Sequence, residues 1–426
     1  MYEKNQNFSF DPATVDAMLV SHAHMDHSGN IPNLVKKGFK GPVYATPPTV
    51  DLCQLMLRDS AHLQKKDIDW VNRIRAKHHQ PPMEPLYSMD DAEESLHYFQ
   101  PVEYDKSFEV IPGVQVTFKE AGHILGSACI LFEINEKGRR IEMGFTGDLG
   151  RAGMPILRDP VILRELDALI IESTYGNRSH DPISDAGEEM AKTIREVAAA
   201  GGKIIIPAFA IGRTQELIYM LHKLYDQNRI PEIPVFIDSP LAVHATDVFR
   251  KYAAYYDREA FRIFLAQHND PFAFQMLKYV ESTEESKRLN GLAFPHIIIS
   301  ASGMAEGGRI LHHLANNIEN PKTLILFVGF AAKETLARKI MDGNETVKIF
   351  GEEHRVKARV KILQNFSAHG DRRDIIEYVK MSSPAKLKNL FLVHGEPDQA
   401  IPLRDAFQSM GYQNVQYPVL NEKVMI

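Results

Sequence analysis

Sulfur chemistry is nearly absent from this chain: of 426 residues only Cys53 and Cys129 are cysteine, far apart and with no CxxC pair. Neither a disulfide framework nor a cysteine-based zinc site can therefore organise it. Long apolar runs are lacking as well. None approaches the ~18 residues that would span a membrane, and the opening MYEKNQNFSF carries no apolar h-region of a secretion signal. There is no excess of positive charge either. Lys and Arg number 49 against 55 Asp and Glu, a net charge of −6, so a bound polyanion would have to meet a local basic lining. Short-period repeats and low-complexity tracts are missing too. What is present, 44% hydrophobic and 24% charged residues, describes a globular chain with ample core material, and the expectation is a cytoplasmic protein with no membrane partner. The length exceeds one ordinary domain, so two domains or one with a large insert are expected.

Short apolar β-branched runs alternate with amphipathic stretches, the pattern of a layered α/β protein. DAMLVS (16–21) reads as a buried strand ending at His22, and TPPTVDLCQLML (46–57) as a helix entered through prolines, with a solvated helix plus loop over roughly 60 to 95. VQVTFKEAG, SACILFEIN, RRIEMGFTGD and DALIIEST read as strands between 114 and 174. After Tyr175 four segments, beginning GKIIIP, PVFIDS, HIIIS and TLILFV, each read as strand, loop and helix. Four consecutive βα units imply a parallel sheet with helical cover. Strand-rich sequence returns from about Val347. The resulting division is a first sandwich segment over 1–175, an insert over 176–358, and a second sandwich segment over 359–426.

The chemistry lies in SHAHMDHSGN (21–30), with three histidines and an aspartate within six positions. In an extended segment alternate side chains face the same way, so His22 and His24 can converge on one ion. Asp26 and His27, placed just beyond a turn that Gly29 helps close, can face a second. Imidazole and carboxylate together suit zinc with an exchangeable water. Four local ligands cannot complete two sites. Three further residues stand at strand ends before glycine: His123 in EAGHILGSA, Asp148 in FTGDLG and His394 in FLVHGE. Singly, each also reads as an ordinary loop or turn residue; together with HxHxDH they form a set.

These motifs resemble the β-CASP nuclease branch of the metallo-β-lactamase superfamily, and within it the prokaryotic relatives of the nuclease subunit of the cleavage and polyadenylation specificity factor. Glu172 in IIESTYG, His369 in SAHGD and His394 in VHGE match the branch's own motifs. The resemblance implies an αββα sandwich interrupted by a doubly wound parallel α/β domain. It implies one zinc held by His22, His24, His123 and Asp148, and another by Asp26, His27, Asp148 and His394, with Asp148 shared. It also implies RNA as substrate, because the last motif is generally histidine in RNA-processing members.

Phosphodiester hydrolysis needs a nucleophile at neutral pH, charge neutralisation, and help for the leaving oxygen. Two metals can supply the first two. His369, outside the ligand set, is expected to donate the proton or clamp the phosphate, with Glu172 orienting the ligands or His369 and Asp26 shared between metal binding and catalysis. Single-stranded RNA is expected in a groove made by the insert closing over the sandwich. Arg213, at a helix start, and Ser302, in the small SASGM loop, are expected to contact phosphate. No GK[ST] follows that loop, so ATP is not expected. Endonuclease action is favoured over 5′ exonuclease action, and a homodimer is allowed. The remaining twelve of 18 histidines, among them His78, His79, His312 and His313, are expected at the surface.

A thioester or lactone hydrolase of the same superfamily would explain HxHxDH and leave the insert and SAHGD without work. A non-catalytic RNA-processing scaffold would have lost ligands, and all seven stand. One departure remains. Members of the branch normally carry strands and a DCG-like turn before HxHxDH, whereas MYEKNQNFSFDPATVD has neither. The expectation is an N-terminally truncated chain whose sandwich lacks those strands and binds metal weakly or aggregates.

Overall fold

A computed structural model describes residues 5–180, 183–266, 270–329, 331–363, 366–382, 385–424 and 426. The chain divides into two compact units, one made of Met1–Ala152, Asp159–Ser179 and His369–Ile426, the other of Gly153–Arg158 and His180–Ala368.

The first unit begins with β1 (Met18–Leu19), α1 (Met25–Ser28), α2 (Ile31–Lys36), β2 (Val43–Ala45), α3 (Pro47–Lys77), α4 (Met89–Leu96) and β3 (Phe99–Pro101). The three strands pair in parallel in the order β1-β2-β3. β4 (Ser107–Ile111), β5 (Val114–Glu120), β6 (Ala128–Glu136) and β7 (Arg139–Phe145) follow as an antiparallel meander, and β8 (Ala168–Glu172) joins β7 in parallel.

Helix α3 is longer than its sequence suggested. Thr46 caps the Thr49 N–H, and Pro47 and Pro48 fill the first turn, where a proline lacks only an N–H that would be orphaned anyway. Val50, Leu52, Cys53, Leu57 and Ala61 anchor the first half. The residues beyond are good helix formers with no Gly or Pro until Pro81, so one helix of 31 residues runs through to Lys77.

The second unit contains α5 (Ile183–Ala199), β9 (Ile204–Pro207), α6 (Arg213–Asp226), β10 (Val235–Ile237), α7 (Pro240–Lys251), α8 (Arg258–Ala266), β11 (Leu277–Tyr279), α9 (Thr283–Leu289), β12 (Ile297–Ser300), α10 (Arg309–Asn317), β13 (Leu324–Val328) and α11 (Leu336–Met341). A hairpin of β14 (Thr346–Ile349) and β15 (Glu352–Arg355) precedes β16 (Arg359–Leu363). The sheet order is β11-β10-β12-β9-β13-β16, every pairing parallel. β9, β10, β12 and β13 are buried along their whole length, as a sheet covered on both faces requires. The sequence division assigned residues from 359 onward to the sandwich. Instead Arg359–Leu363 registers against Leu324–Val328 in the insert's sheet, and the first unit resumes at His369.

His313, expected at the surface, is fully buried. Its Nε2 lies 2.5 Å from Oδ2 of Asp238, which also accepts from Ser286 Oγ and, through Oδ1, from Arg309 Nη1, both at 2.6 Å. Burial works against the Asp238 charge, yet these three partners hold its carboxyl below the usual range. His180, His222 and His296 are buried as well.

The chain returns through α12 (Arg372–Met381), β17 (Asn389–Val393), α13 (Pro397–Ser409) and β18 (Val415–Gln416), completing a sheet of order β18-β17-β8-β7-β6-β5-β4. Val116, Phe118, Ala128 and Ile130 of this sheet pack against Leu19 and Tyr44 of the three-stranded sheet. On the far side Leu169 and Ile171 meet Ile375, Tyr378, Leu403 and Phe407 from α12 and α13. Val20, Val43 and Ala45 bury Ile31, Leu34, Val35 and Val50 from α2 and α3. Helices, sheet, sheet and helices thus stack as an αββα sandwich.

Candidate metal centre

Every residue expected to bind metal lies in the first unit, at or just beyond a strand end. His22 follows β1 by three residues and is fully buried; Ser21 Oγ stands 3.1 Å from its Nδ1. His24 is the N-cap position of α1, so Asp26 and His27 lie on that helical turn, ahead of Gly29 and not beyond it. His123 sits in the β5–β6 loop, where Ser127 Oγ accepts from its backbone N–H at 3.0 Å. Asp148 follows β7. His394 follows β17 with a left-handed φ of 58°; the next residue, Gly395, lies so close to Ser173 that a Cβ would fall 2.4 Å from its carbonyl oxygen.

The side chains gather into groups whose ligand atoms lie within 4.8 Å of one another: His22, His24, His123 and Asp148 in one; Asp26, His27 and His394 in a second; Asp148, Glu172 and His369 in a third. Asp148 faces two of them with different oxygens. Its Oδ2 is 3.4 Å from His22 Nε2 and 3.5 Å from His123 Nε2, while Oδ1 is 3.2 Å from His27 Nε2 and 3.5 Å from His394 Nδ1. His24 Nδ1 stands 3.2 Å from His22 Nε2 and 3.1 Å from His123 Nε2. His394 Nε2 lies 3.3 Å from both Asp26 Oδ2 and His27 Nε2.

Imidazole nitrogens aimed at one another in pairs cannot all be satisfied by protons. Burial pushes His22 and His123 below the ordinary imidazole value and His24 to about 3, leaving neutral rings with lone pairs to offer. Asp148 Oδ1 is buried with no well-aligned donor, although His27 Nε2 stands 3.2 Å away. Burial would raise Asp148, but the adjacent His22 and His27 rings keep it well below the carboxylate range. Asp26 follows the same pattern, burial opposed by His394 and then His27, and its carboxyl also stays low. Burial opposes charge on His394, yet Asp26 and then Asp148 raise it to about 9. A nitrogen and carboxylate donor set with an orphaned oxygen at its centre fits divalent metal of the zinc type.

His369 stands beside this set. Its Nδ1 lies 3.0 and 3.1 Å from the two oxygens of fully buried Glu172, and 3.9 Å from Asp148 Oδ2. Burial disfavours its charge, but the Glu172 carboxylate prevails and raises it. Glu172 Oε1 also accepts from the Leu149 N–H at 2.6 Å, so one carboxylate positions both His369 and the backbone next to Asp148. Three supports escaped the sequence reading: Ser21, Ser127, and Thr174, whose Oγ1 stands 3.1 Å from His394 Nδ1. Ser127 and Thr174 lie inside the quoted motifs GHILGSA and IIESTYG, where a hydroxyl next to a ligand loop was the available signal.

A metallo-beta-lactamase superfamily domain matches residues 3–141, a Beta-Casp domain 214–340, and a Zn-dependent metallo-hydrolase RNA specificity domain 353–418. The chain is 33% identical over 396 residues to Ribonuclease TTHA0252 of Thermus thermophilus, covering 93% of this chain and 85% of that protein. It belongs to the β-CASP branch of the metallo-β-lactamase superfamily. It is also 30% identical over 421 residues to Transcription termination factor FttA of Methanocaldococcus jannaschii, 96% of this chain and 63% of that one. The Methanosarcina mazei FttA is 31% identical over 405 residues, 91% of this chain and 60% of that one. The chain thus spans somewhat less than two thirds of the FttA proteins.

The β-CASP unit holds the two expected phosphate contacts, Arg213 and Ser302. Arg213 is held by its neighbours. Its side chain is only 9% exposed, its guanidinium is ion-paired with buried Glu216, and it lies over the Phe366 ring. Its Nη1 pairs with a carboxylate one helical turn on, which braces α6. Ser302 is half-buried in a tight loop, its Oγ 3.5 Å from the Gly307 carbonyl.

Proposed function

We propose that this β-CASP chain is a zinc-dependent ribonuclease that hydrolyses phosphodiester bonds in single-stranded RNA, endonucleolytically and in the cytoplasm, with two zinc ions. One observation carries the reading: Asp148 belongs to one donor group and turns its other oxygen towards His27 and His394 of a second, and beside them stands a histidine held by its own buried carboxylate. A relative named as a ribonuclease supports the substrate class.

His22, His24, His123 and Asp148 would hold one ion, and Asp26, His27, Asp148 and His394 the other. The bound ions supply a nucleophile from water at neutral pH and neutralise phosphoryl charge. The remaining work belongs to the chain. Glu172 accepts the Nδ1–H of His369, which fixes the ring and leaves Nε2 as the atom for substrate. From there it donates a proton to the departing ribose oxygen or contacts the phosphate. Asp148 keeps the two ligand groups in register, one oxygen to each.

The test is cleavage of an end-labelled RNA read by product length, alongside zinc analysis. Internal products with about two zinc ions per chain are expected from two four-ligand sites. His369→Ala keeps the zinc and loses most turnover, whereas His394→Ala loses zinc as well. Equal zinc loss in both variants would make His369 a ligand and refute its assignment.

A further inference from the structure

Helix α3 leaves the metal centre and carries an exposed face that the proposed chemistry does not use. Its N-terminus is tied beside the His123 loop, where Thr46 and Thr49 hydroxyls donate to the Gly126 carbonyl at 2.6 and 2.9 Å. Trp70 lies about 35 Å further along the axis, at ~1.5 Å per residue. Over this distal half one stripe is covered by the returning chain. Asn72 exchanges two hydrogen bonds with the Met83 backbone, Arg75 donates to the Pro81 carbonyl, and Gln64 accepts from the Leu86 N–H. The opposite stripe is open.

That open stripe has an unusual composition. Lys66, Trp70, Arg73 and Lys77 follow one another at i, i+4, i+7 and i+11, so they share one side of the helix. All four are exposed. Trp70 is 63% exposed, and Leu63 and Ile74, its neighbours on the same side, are 44% and 39% exposed. Leaving the largest apolar side chain available 63% exposed is unexpected in a chain with this much core. Among the described residues none of the three cations makes an ion pair. Asp59, two turns back, is near enough to Lys66 to interact, and among the described residues Asp69, which flanks Arg73 one turn back, pairs with Lys65 and not with the ridge. In a chain of net charge −6, three unpaired cations around one exposed indole form a local departure of the opposite sign.

We propose that this ridge of α3 is a docking site for single-stranded RNA, with a base stacked on Trp70 and phosphates on Lys66, Arg73 and Lys77. The inference rests on the ribonuclease reading for the identity of the polymer. Aromatic rings interleaved with cations suit single strands because every base has a π-face and the backbone charge repeats. A second copy of the chain is a poorer occupant. A two-fold contact would set the three cations against their own counterparts, and one Trp, one Leu and one Ile fall short of the roughly 800 Å² per partner of a standard interface. The ridge would then hold RNA remote from the centre that cuts it, so that affinity for long strands and turnover of short ones are separable.

Trp70 is the only tryptophan in the chain, so intrinsic fluorescence reports this site alone. Titration of the full zinc-loaded chain with a nuclease-resistant phosphorothioate oligoribonucleotide should quench it saturably. The combined variant Lys66→Glu, Arg73→Glu, Lys77→Glu should lose that binding and flatten its log–log salt dependence by about 2, from three phosphates at ~0.7 each. Trp70→Ala should raise KM for long RNA about tenfold or more and leave kcat on a dinucleotide, too short to reach the ridge, unchanged; stacking of this kind spans about fivefold to over a hundredfold. Trp70→Phe should restore part of the loss. Cleavage of long RNA with an unaltered KM in Trp70→Ala overturns the proposal and leaves the ribonuclease reading intact. Quenching without cleavage of any RNA upholds the ridge and refutes the ribonuclease. A wild-type dimer that Trp70→Ala converts to monomer, with no quenching by the oligonucleotide, would make the ridge a contact between copies and also overturn it.

Discussion

Replacing Glu172 by Gln and by Ala separates two jobs that one carboxylate performs. In the native site Oε1 accepts the Leu149 N–H at 2.6 Å, and both oxygens face His369 Nδ1. In Glu172→Gln the amide oxygen still accepts from Leu149, so the Asp148–Leu149 backbone stays in place. The amide nitrogen must then face His369, which accepts at Nδ1 and moves its proton to Nε2. The ring is neutral and a poorer proton donor. Losing a supporting partner of this kind costs about 10–100-fold in activity, or about 1.4–2.7 kcal/mol in barrier. Zinc content and melting should hardly move. Glu172→Ala additionally strands a buried N–H, worth about 1–3 kcal/mol, next to a metal ligand. It should therefore melt earlier, by about 2–4 °C per kcal/mol for a unit of this size, and bind zinc less well. The assay is kcat on labelled RNA with zinc analysis and a thermal scan for each variant. Full activity in Glu172→Gln, or identical zinc content and melting in the two variants, would refute this division of labour.

Asp148→Ala should abolish cleavage and empty both ligand groups, because its two oxygens face different sets, and His24→Ala should do so mainly through the first group; elemental analysis reads both. Gly150→Ala should misplace His123, since a Cβ there would sit 1.9 Å from the Gly122 carbonyl oxygen and 2.8 Å from the His123 nitrogen; zinc content equal to wild type would contradict this. Asp238→Asn should destabilise the chain by about 3–5 kcal/mol near neutral pH by leaving Arg309 and His313 uncompensated, measured by chemical denaturation. Because the folded Asp238 carboxyl is held low, its contribution is fully present above the unfolded value near ~3.9 and lost as pH falls through the folded value. The gap between the two proteins should therefore narrow below about pH 4, and a gap that persists well below it would count against the assignment.

The grouping of the candidate ligands was legible because much of it is written locally. HxHxDH fixes four side chains within one strand end and one helical turn, and His123, Asp148 and His394 each lie just past a strand end beside a glycine, where backbone can crowd a centre. The four βα units were legible from strand-length apolar runs followed by helical periodicity. What escaped depends on partners distant in sequence. β16 has the alternating look of sandwich sequence, and only its pairing with Leu324–Val328 places it in the insert's sheet. His313 looks like a surface residue beside His312 until Asp238, 75 positions earlier, is brought to it. The length of α3 was underestimated because its distal half buries little, and helix propensity without a breaker sets its end. The Arg213 ion pair went unread although Glu216 lies only three residues on, a spacing that puts the two on one side of the helix.

The pairing of β8 with β17 joins strands made far apart in time. Thr174 and His394 are 220 positions apart, and the whole insert sheet, from β9 to β16, is synthesised between them. At roughly 5–20 residues per second, β8 waits on the order of 10–40 s with one edge open, while the insert has every strand it needs and can fold first. His22, His24, His123 and Asp148 have all emerged by then, but His369 and His394 have not. A nascent or prematurely released chain can thus assemble one candidate ligand group early, yet it lacks His394 and His369 until they have been made. Incomplete products would therefore carry an open β8 edge and only part of the candidate site.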